Sequence, residues 1–174
     1  YDFRPAYLTI ASLRELIGKE KPILALTATA TPSVVKDIQE KLLFKANNVL
    51  QKSFERKNLS YLVLKEQDKR KRLLKIIDRI SGTGVVYGSS RKRTKEIASF
   101  LNHHKISALP YHAGMTSLER DKAQKQWIEN GVRIIVATNA FGMGIDKPDV
   151  RFVVHYDLPN SLEAYFQEAG RGGR

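Results

Sequence analysis

The sequence contains no cysteine and no long apolar run. Without cysteine, the chain can form neither a disulfide framework nor a thiolate metal site of its own, which fits a reducing cytosol. No apolar run approaches the roughly 20 residues of a membrane-spanning helix. Acidic residues are also scarce, since 18 Asp and Glu stand against 30 Lys and Arg, for a net charge of +12. This excess favours a polyanionic partner such as nucleic acid, and solvated helix faces are the alternative explanation.

The order of apolar segments predicts an α/β fold. The 174 residues, 42% of them hydrophobic, suit one domain with a piece of another. Strands are predicted over 85–87, 108–111, 132–137 and 152–156, and helices over 66–80, 91–102, 117–128 and 161–169. Such alternation with short connections indicates a parallel sheet covered by helices on both faces. Chemistry-capable residues follow the strands directly, where open α/β sheets place their ligand sites.

The N-terminal part of the chain has a different organisation. A short strand over 22–26 leads into the threonine-rich turn Thr27–Thr31. A helix then begins at Pro32, with Thr31 as its N-cap. Residues 47–58 are polar and basic and are predicted to be a linker, and 59–64 alternate like a strand. Because the sequence starts without Met and ends at Arg174 directly after a glycine-rich turn, we expect a fragment of a longer protein.

Six segments follow one another in order and at suitable spacing: Thr27–Thr31, Phe54–Leu59, Val85–Arg91, Tyr111–Met115, Ala137–Pro148 and Gln167–Arg174. In that order they resemble motif III, the bridging segment between two lobes, motif IV, the element after motif IV, motif V and motif VI of the RecQ family of superfamily 2 DNA helicases. The sequence departs from the family pattern at Lys57, where proline is usual, at Gly88, where many relatives have cysteine, and at Gly172, where alanine is commoner. Together the segments span nearly the whole chain.

The resemblance implies a RecA-like fold in which 1–46 end a first lobe, 47–58 link the lobes and 59–174 form a second lobe. The implied protein is a DNA-stimulated ATPase and helicase that moves along single-stranded DNA, 3′ to 5′, in repair or recombination. Single-stranded and tailed duplex DNA would be its partners, in a bacterial cytoplasm or nucleoid and without membrane contact. ATP and Mg²⁺ would be held mainly by a part of the first lobe that precedes Tyr1. Because that part of the first lobe is missing here, this segment alone is expected to be inactive. A Zn²⁺ module could follow Arg174 in the parent protein.

The resemblance also implies roles for individual residues. Arg174 would be the arginine finger and Arg171 a second γ-phosphate or coupling contact, while Gln167 would couple nucleotide to DNA. Asp146 would accept a hydrogen bond from the ATP ribose beside Gly144. No metal ligand is predicted within the chain. DNA phosphates would be held by Ser90, Arg91, His112 and Thr138, and ATP and DNA would communicate through Thr27, Thr29 and Thr31.

Structural alternatives exist for these residues: surface ion pairs for the arginines, a turn for Asp146, a hydrogen-bonded core position for His112, and capping or packing for the threonines. For the whole chain, the alternatives are a DEAD-box RNA helicase and a catalytically silent nucleic-acid-binding module. DEAD-box proteins typically have Ser-Ala-Thr in motif III and His-Arg-Ile-Gly-Arg in motif VI. The Thr-Ala-Thr of 27–29 and the Gln-Glu-Ala-Gly-Arg of 167–171 favour DNA. The intact motif VI argues against a silent module.

Overall fold

A computed structural model describes residues 9–10, 12–13, 16–18, 20–27, 30–45, 48–53, 55–142 and 145–173. The chain divides into two compact units, Tyr1–Phe54 and Glu55–Arg174. In the first unit, helix α1 spans Pro32–Lys41 and starts as predicted. The Thr31 hydroxyl accepts a hydrogen bond from the Val34 amide at 3.4 Å, which satisfies one of the first free donors of the helix.

The strands expected over 22–26 and 59–64 do not form within the described part of the chain. Leu24 and Leu26 are 80% and 84% exposed, and Leu62 and Val63 are 80% and 91% exposed. A strand needs a neighbouring strand to satisfy its backbone groups, and an apolar pattern cannot supply one. Both strand predictions are therefore wrong for this structure.

A four-stranded parallel sheet forms the centre of the second unit. Its strands are β1 (Thr83–Tyr87), β2 (Ala108–Tyr111), β3 (Ile134–Ala137) and β4 (Val150–His155). Their spatial order is β2-β3-β1-β4, and β1 pairs in parallel with both β3 and β4. The accompanying helices are α2 (Lys69–Arg79), α3 (Arg91–His103), α4 (Ser117–Ile128) and α5 (Leu162–Ala169). The predicted parallel α/β sheet is confirmed.

Both faces of this sheet are buried, because consecutive side chains along a strand point in opposite directions. On one face, Val86 of β1 belongs to a core with Leu73 and Ile77 of α2 and with Ile97 of α3. On the opposite face, Val85 belongs to a second core that includes Trp127 of α4. Helices thus cover the sheet from both sides, as the alternating pattern predicted.

Gly84 of β1 allows the edge strand β4 to pack closely. It pairs with Phe152, and a Cβ atom at position 84 would lie 2.2 Å from the Phe152 ring. Only glycine fits there without moving the ring. No helix in the described ranges is long and apolar enough to cross a membrane.

Candidate functional site

The candidate site residues of the second unit gather where the four parallel strands end. We call this region the carboxyl edge; it consists of Gly88–Arg91, His112–Gly114, Thr138–Phe141 and Tyr156–Asp157. Backbone hydrogen bonds fix neighbouring segments to each other: Gly88 N donates to Ala137 O at 2.9 Å, Thr138 N to Tyr111 O at 3.1 Å, and Tyr156 N to Tyr87 O at 2.9 Å. All four predicted DNA-contacting residues lie on this edge, namely Ser90, Arg91, His112 and Thr138. Their contact with DNA stays a prediction.

Ser90 begins helix α3 beside a partly buried carboxylate. Its Oγ accepts a hydrogen bond from the Arg93 amide at 3.1 Å. The Ser89 amide and hydroxyl donate to Asp157 Oδ2 at 2.9 and 2.8 Å, and Arg93 and Lys69 each lie 3.6 Å from the same carboxylate. Burial raises the pKa of Asp157, but the hydrogen bonds from Ser89 and the two cations outweigh it and hold the pKa below its usual value. Because a hydroxyl that accepts can also donate, Ser90 can cap the helix and hold a phosphate at once.

His112 is buried at the carboxyl edge. It is 3% exposed, and neither ring nitrogen forms a hydrogen bond with another residue in the described part of the chain. Burial lowers the pKa of the imidazole, and the charges of Lys95 and Arg91 lower it further, so the ring is neutral at pH 7. The Arg91 guanidinium packs over Gly114, where a Cβ atom would lie 2.7 Å from Nη1.

Arg171 lies below the carboxyl edge and is only 7% exposed. Its Nε donates to the Tyr87 hydroxyl at 2.9 Å, and its Nη2 donates to the Gly142 carbonyl. The Tyr87 hydroxyl donates in turn to Phe141 O at 3.0 Å. Burial raises the pKa of Tyr87, which keeps the phenol neutral and able to donate. Arg171 thus connects the end of β1, the loop after β3 and the turn after α5, and the surface ion-pair alternative is wrong for this arginine.

The loop that carries Asp146 is anchored by its neighbour Lys147. Asp146 is exposed, whereas Lys147 is 4% exposed. The Lys147 ammonium donates to Ile128 O at 3.1 Å and Asn130 Oδ1 at 2.8 Å, and it pairs with Asp149 at 2.8 Å. The hydrogen bond from Lys147 lowers the pKa of the Asp149 carboxyl. Sequence reasoning missed Lys147, because a lysine in a turn is usually solvent-exposed.

Gln167, the predicted coupling residue, is exposed on helix α5. The next residue, Glu168, is buried, and its Oε2 lies 2.8 Å from His155 Nε2. Sequence reasoning did not identify this pair, because each partner is a common surface residue. Gln167 therefore projects from a helix whose other face is fixed to the sheet.

Three predicted site residues, Arg174, Gly144 and Thr29, lie outside the described residues. Thr27 and Thr31 are exposed in the first unit. Thr31 is the N-cap of α1. The coupling role of Thr27, Thr29 and Thr31 stays a prediction.

Within the described ranges, no group of three or more His, Asp or Glu side chains could hold a metal ion, and the sequence has no cysteine for a thiolate site.

Known proteins resemble the chain at the level of both domain and sequence. Residues 68–174 match the family described as the helicase conserved C-terminal domain. The chain is 43% identical to the RecQ-like DNA helicase blm-1 of Caenorhabditis elegans and covers 18% of that protein. It is 39% identical to the ATP-dependent DNA helicase RecQ of Pasteurella multocida, of which it covers 28%. It is also 44% identical to a putative ATP-dependent RNA helicase, R290, of Acanthamoeba polyphaga mimivirus, of which it covers 32%. The chain thus spans a third or less of these relatives.

A solved structure shares the fold. Saccharomyces cerevisiae Dbp5 bound to RNA and ADP BeF3 matches with a TM-score of 0.75 at 21% identity, over 99% of this chain and 47% of that one. The likeness confirms the predicted RecA-like α/β fold. Relatives named as RecQ helicases agree with the resemblance of the motif series to that group. From the match to residues 68–174, the chain belongs to the helicase C-terminal domain family.

Proposed function

We propose that the chain is part of an ATP-dependent DNA helicase that couples ATP hydrolysis to movement along single-stranded DNA and duplex unwinding. One observation carries the proposal: the candidate phosphate contacts Ser90, Arg91, His112 and Thr138 share one sheet edge with the buried Arg171. Relatives named as DNA helicases support the choice of DNA. In this proposal residues 1–46 end the first lobe, 47–58 link the lobes and 59–174 form the second.

The arginines of motif VI would stabilise the transition state of phosphoryl transfer. In that state negative charge spreads over the γ-phosphate oxygens, and a fixed guanidinium lowers its free energy. Arg174 would supply this charge from the second lobe. ATP and its Mg²⁺ would be held mainly by the first lobe, with Asp146 and Gly144 beside the ribose.

Arg171 could transmit a structural change at the nucleotide to the DNA contacts. Its bond to the Gly142 carbonyl ends in the loop that also contains Thr138. A shift of the turn after α5 would therefore move the loop after β3 and, with it, a DNA phosphate contact. Hydroxyl and amide contacts to phosphate carry no base information, so binding is expected to be independent of sequence and weakened by salt.

The decisive experiment measures ATP hydrolysis by the full-length parent protein alone, with single-stranded DNA, and with RNA of the same length. Arg174→Ala should lower the DNA-stimulated rate by about 10³-fold or more while nucleotide binding survives. Arg79→Ala is the matched control, because Arg79 is exposed in the last turn of α2. Its rate should equal that of the wild type.

The other outcomes separate the alternatives. Stimulation by RNA and not by DNA would refute the substrate, in keeping with the relative named as an RNA helicase. No stimulation by either nucleic acid would favour the silent binding module. The 174-residue chain alone should show no DNA-stimulated ATP hydrolysis. Activity in this chain would contradict the proposal that ATP and Mg²⁺ are held mainly by the first lobe.

A further inference from the structure

A short segment at the start of the second unit holds the turn that leads into Arg174. We call residues Arg56–Tyr61 the strap and Gly170–Gly173 the arginine turn. Arg56 Nη2 donates to the Gly173 carbonyl at 2.8 Å, and the Asn58 side-chain amide donates to the same oxygen. A carbonyl oxygen has two lone pairs, so two side-chain donors saturate it. These contacts join residues more than a hundred positions apart in the sequence.

The arginine turn is shaped to receive the strap. Gly173 has a φ of +66°, which favours glycine, and a Cβ atom there would lie 2.9 Å from Leu59 Cδ2. At Gly172 a Cβ atom would lie 3.3 Å from the same methyl group. Further along the strap, the Tyr61 ring lies 6.0 Å from that of Tyr165 on α5. The two glycines between Arg171 and Arg174 thus leave room for Leu59.

We propose that Arg56 and Asn58 are positioning residues for Arg174, an inference that rests on the proposed function. The Gly173 carbonyl belongs to the peptide unit that joins Gly173 to Arg174. Fixing its oxygen restricts the direction in which the chain continues to Arg174. The strap begins just after Phe54–Glu55, where the chain passes from the first unit to the second. The strap therefore links the segment that follows the first unit to the turn that leads into Arg174, the residue predicted to stabilise the transition state.

A positioning role predicts an effect on kcat that a purely structural contact would not have. A displacement of about 1 Å in a positioned catalytic group can cost about 10²-fold in rate. Asn58→Ala and Arg56→Ala should each lower the DNA-stimulated kcat by roughly 10- to 100-fold, with the KM for ATP unchanged. Arg56→Lys keeps a cationic donor and should recover part of the loss. Because both side chains hold one oxygen, their effects should be less than additive.

The test uses the full-length parent with saturating single-stranded DNA and measures kcat, the KM for ATP and the thermal midpoint. The matched control is Lys65→Ala, an exposed cation shortly after the strap. In a background of Arg174→Ala, Asn58→Ala should cause no further loss, because the group that it positions is already absent.

Three results would overturn the inference: wild-type kcat in the strap variants, an equal further loss in the Arg174→Ala background, or a loss of rate that only follows a fallen thermal midpoint. If the wild type hydrolyses ATP normally and the variants match it, the inference alone fails. If the wild type shows no DNA-stimulated hydrolysis, the proposed function fails and the inference fails with it.

Discussion

Replacement of Lys147 by methionine tests how the loop before β4 is held. Lys147 is only 4% exposed, and its ammonium lies 5.4 Å from the centre of the Trp127 ring. Methionine keeps an apolar stem of similar length and removes only the charged donor. The substitution therefore separates hydrogen bonding from packing.

The expected cost follows from the partners of the ammonium. Hydrogen bonds from charged donors contribute about 1.5–3 kcal/mol each, and Lys147 donates to Ile128 O and Asn130 Oδ1. The ion pair with Asp149 adds little, because that carboxylate is 42% exposed and can return to water. The variant also no longer bears the cost of burying an ammonium. The net loss should be about 2–4 kcal/mol of the free energy of unfolding.

Trp127 is the single tryptophan of the chain and lies in the core beside Lys147, so its fluorescence reports unfolding of this unit. A urea titration of the 174-residue chain gives the midpoint for wild type and variant. Lys75→Met, an exposed position on α2, is the control and should stay within about 0.5 kcal/mol of the wild type. A Lys147→Met midpoint equal to that of the control would refute the assignment of a stabilising role to these hydrogen bonds.

Three further predictions use the same fluorescence measurement. Gly84→Ala should destabilise the chain by about 1–3 kcal/mol, because its Cβ would lie 2.2 Å from the Phe152 ring, and a neutral result would mean that the ring moves away freely. Tyr87→Phe should cost about 1–3 kcal/mol, since Arg171 Nε loses its acceptor in a buried site; wild-type stability would show that another acceptor replaces the phenol. The pKa of Asp149 is held below its usual value in the folded chain, so its contribution is present above about pH 4 and is lost as the pH falls through the lowered pKa. Asp149→Asn should make the free energy of unfolding less dependent on pH in this acidic range. An unchanged pH dependence there would contradict the contribution assigned to Asp149.

The second unit could be predicted because its signals are local. Hydroxyl residues follow strands and begin helices: Ser90, Thr116 and Ser161 cap α3, α4 and α5. Thr116 and Glu119 complete a capping box. Each signal lies within a few residues of the element that it starts, so a single sequence suffices to place the elements. Parallel pairing of the strands then brings their carboxyl ends, and the candidate site, to one edge.

The failed predictions have a common physical cause. Residues 22–26 and 59–64 have apolar patterns typical of strands, but a pattern fixes only which side chains could be buried. Strand formation also requires a partner backbone within hydrogen-bonding distance. Residues 59–61 use their side chains differently, since Leu59 packs against the arginine turn and Tyr61 against Tyr165. An apolar residue can thus be required for a contact with residues that are distant in the sequence.

The same limit applies to charged residues of the site. The motif pattern identified Arg171 as a candidate for phosphate, and spacing alone could not reveal that carbonyl and phenol oxygens already accept its hydrogen bonds. Lys147 satisfies its charge in a comparable way among carbonyl, amide and carboxylate oxygens. Arg171 joins Tyr87 to the loop after β3 at the carboxyl ends of the strands, whereas Lys147 joins the turn after α4 to the residues just before β4, at the amino ends. Removal of either cation leaves acceptors unpaired. Burying such charges is costly unless they are fully hydrogen-bonded, so these segments are held in defined positions relative to the sheet. Under the proposed function, a nucleotide that displaces the arginine turn would also move the loop that contains Thr138.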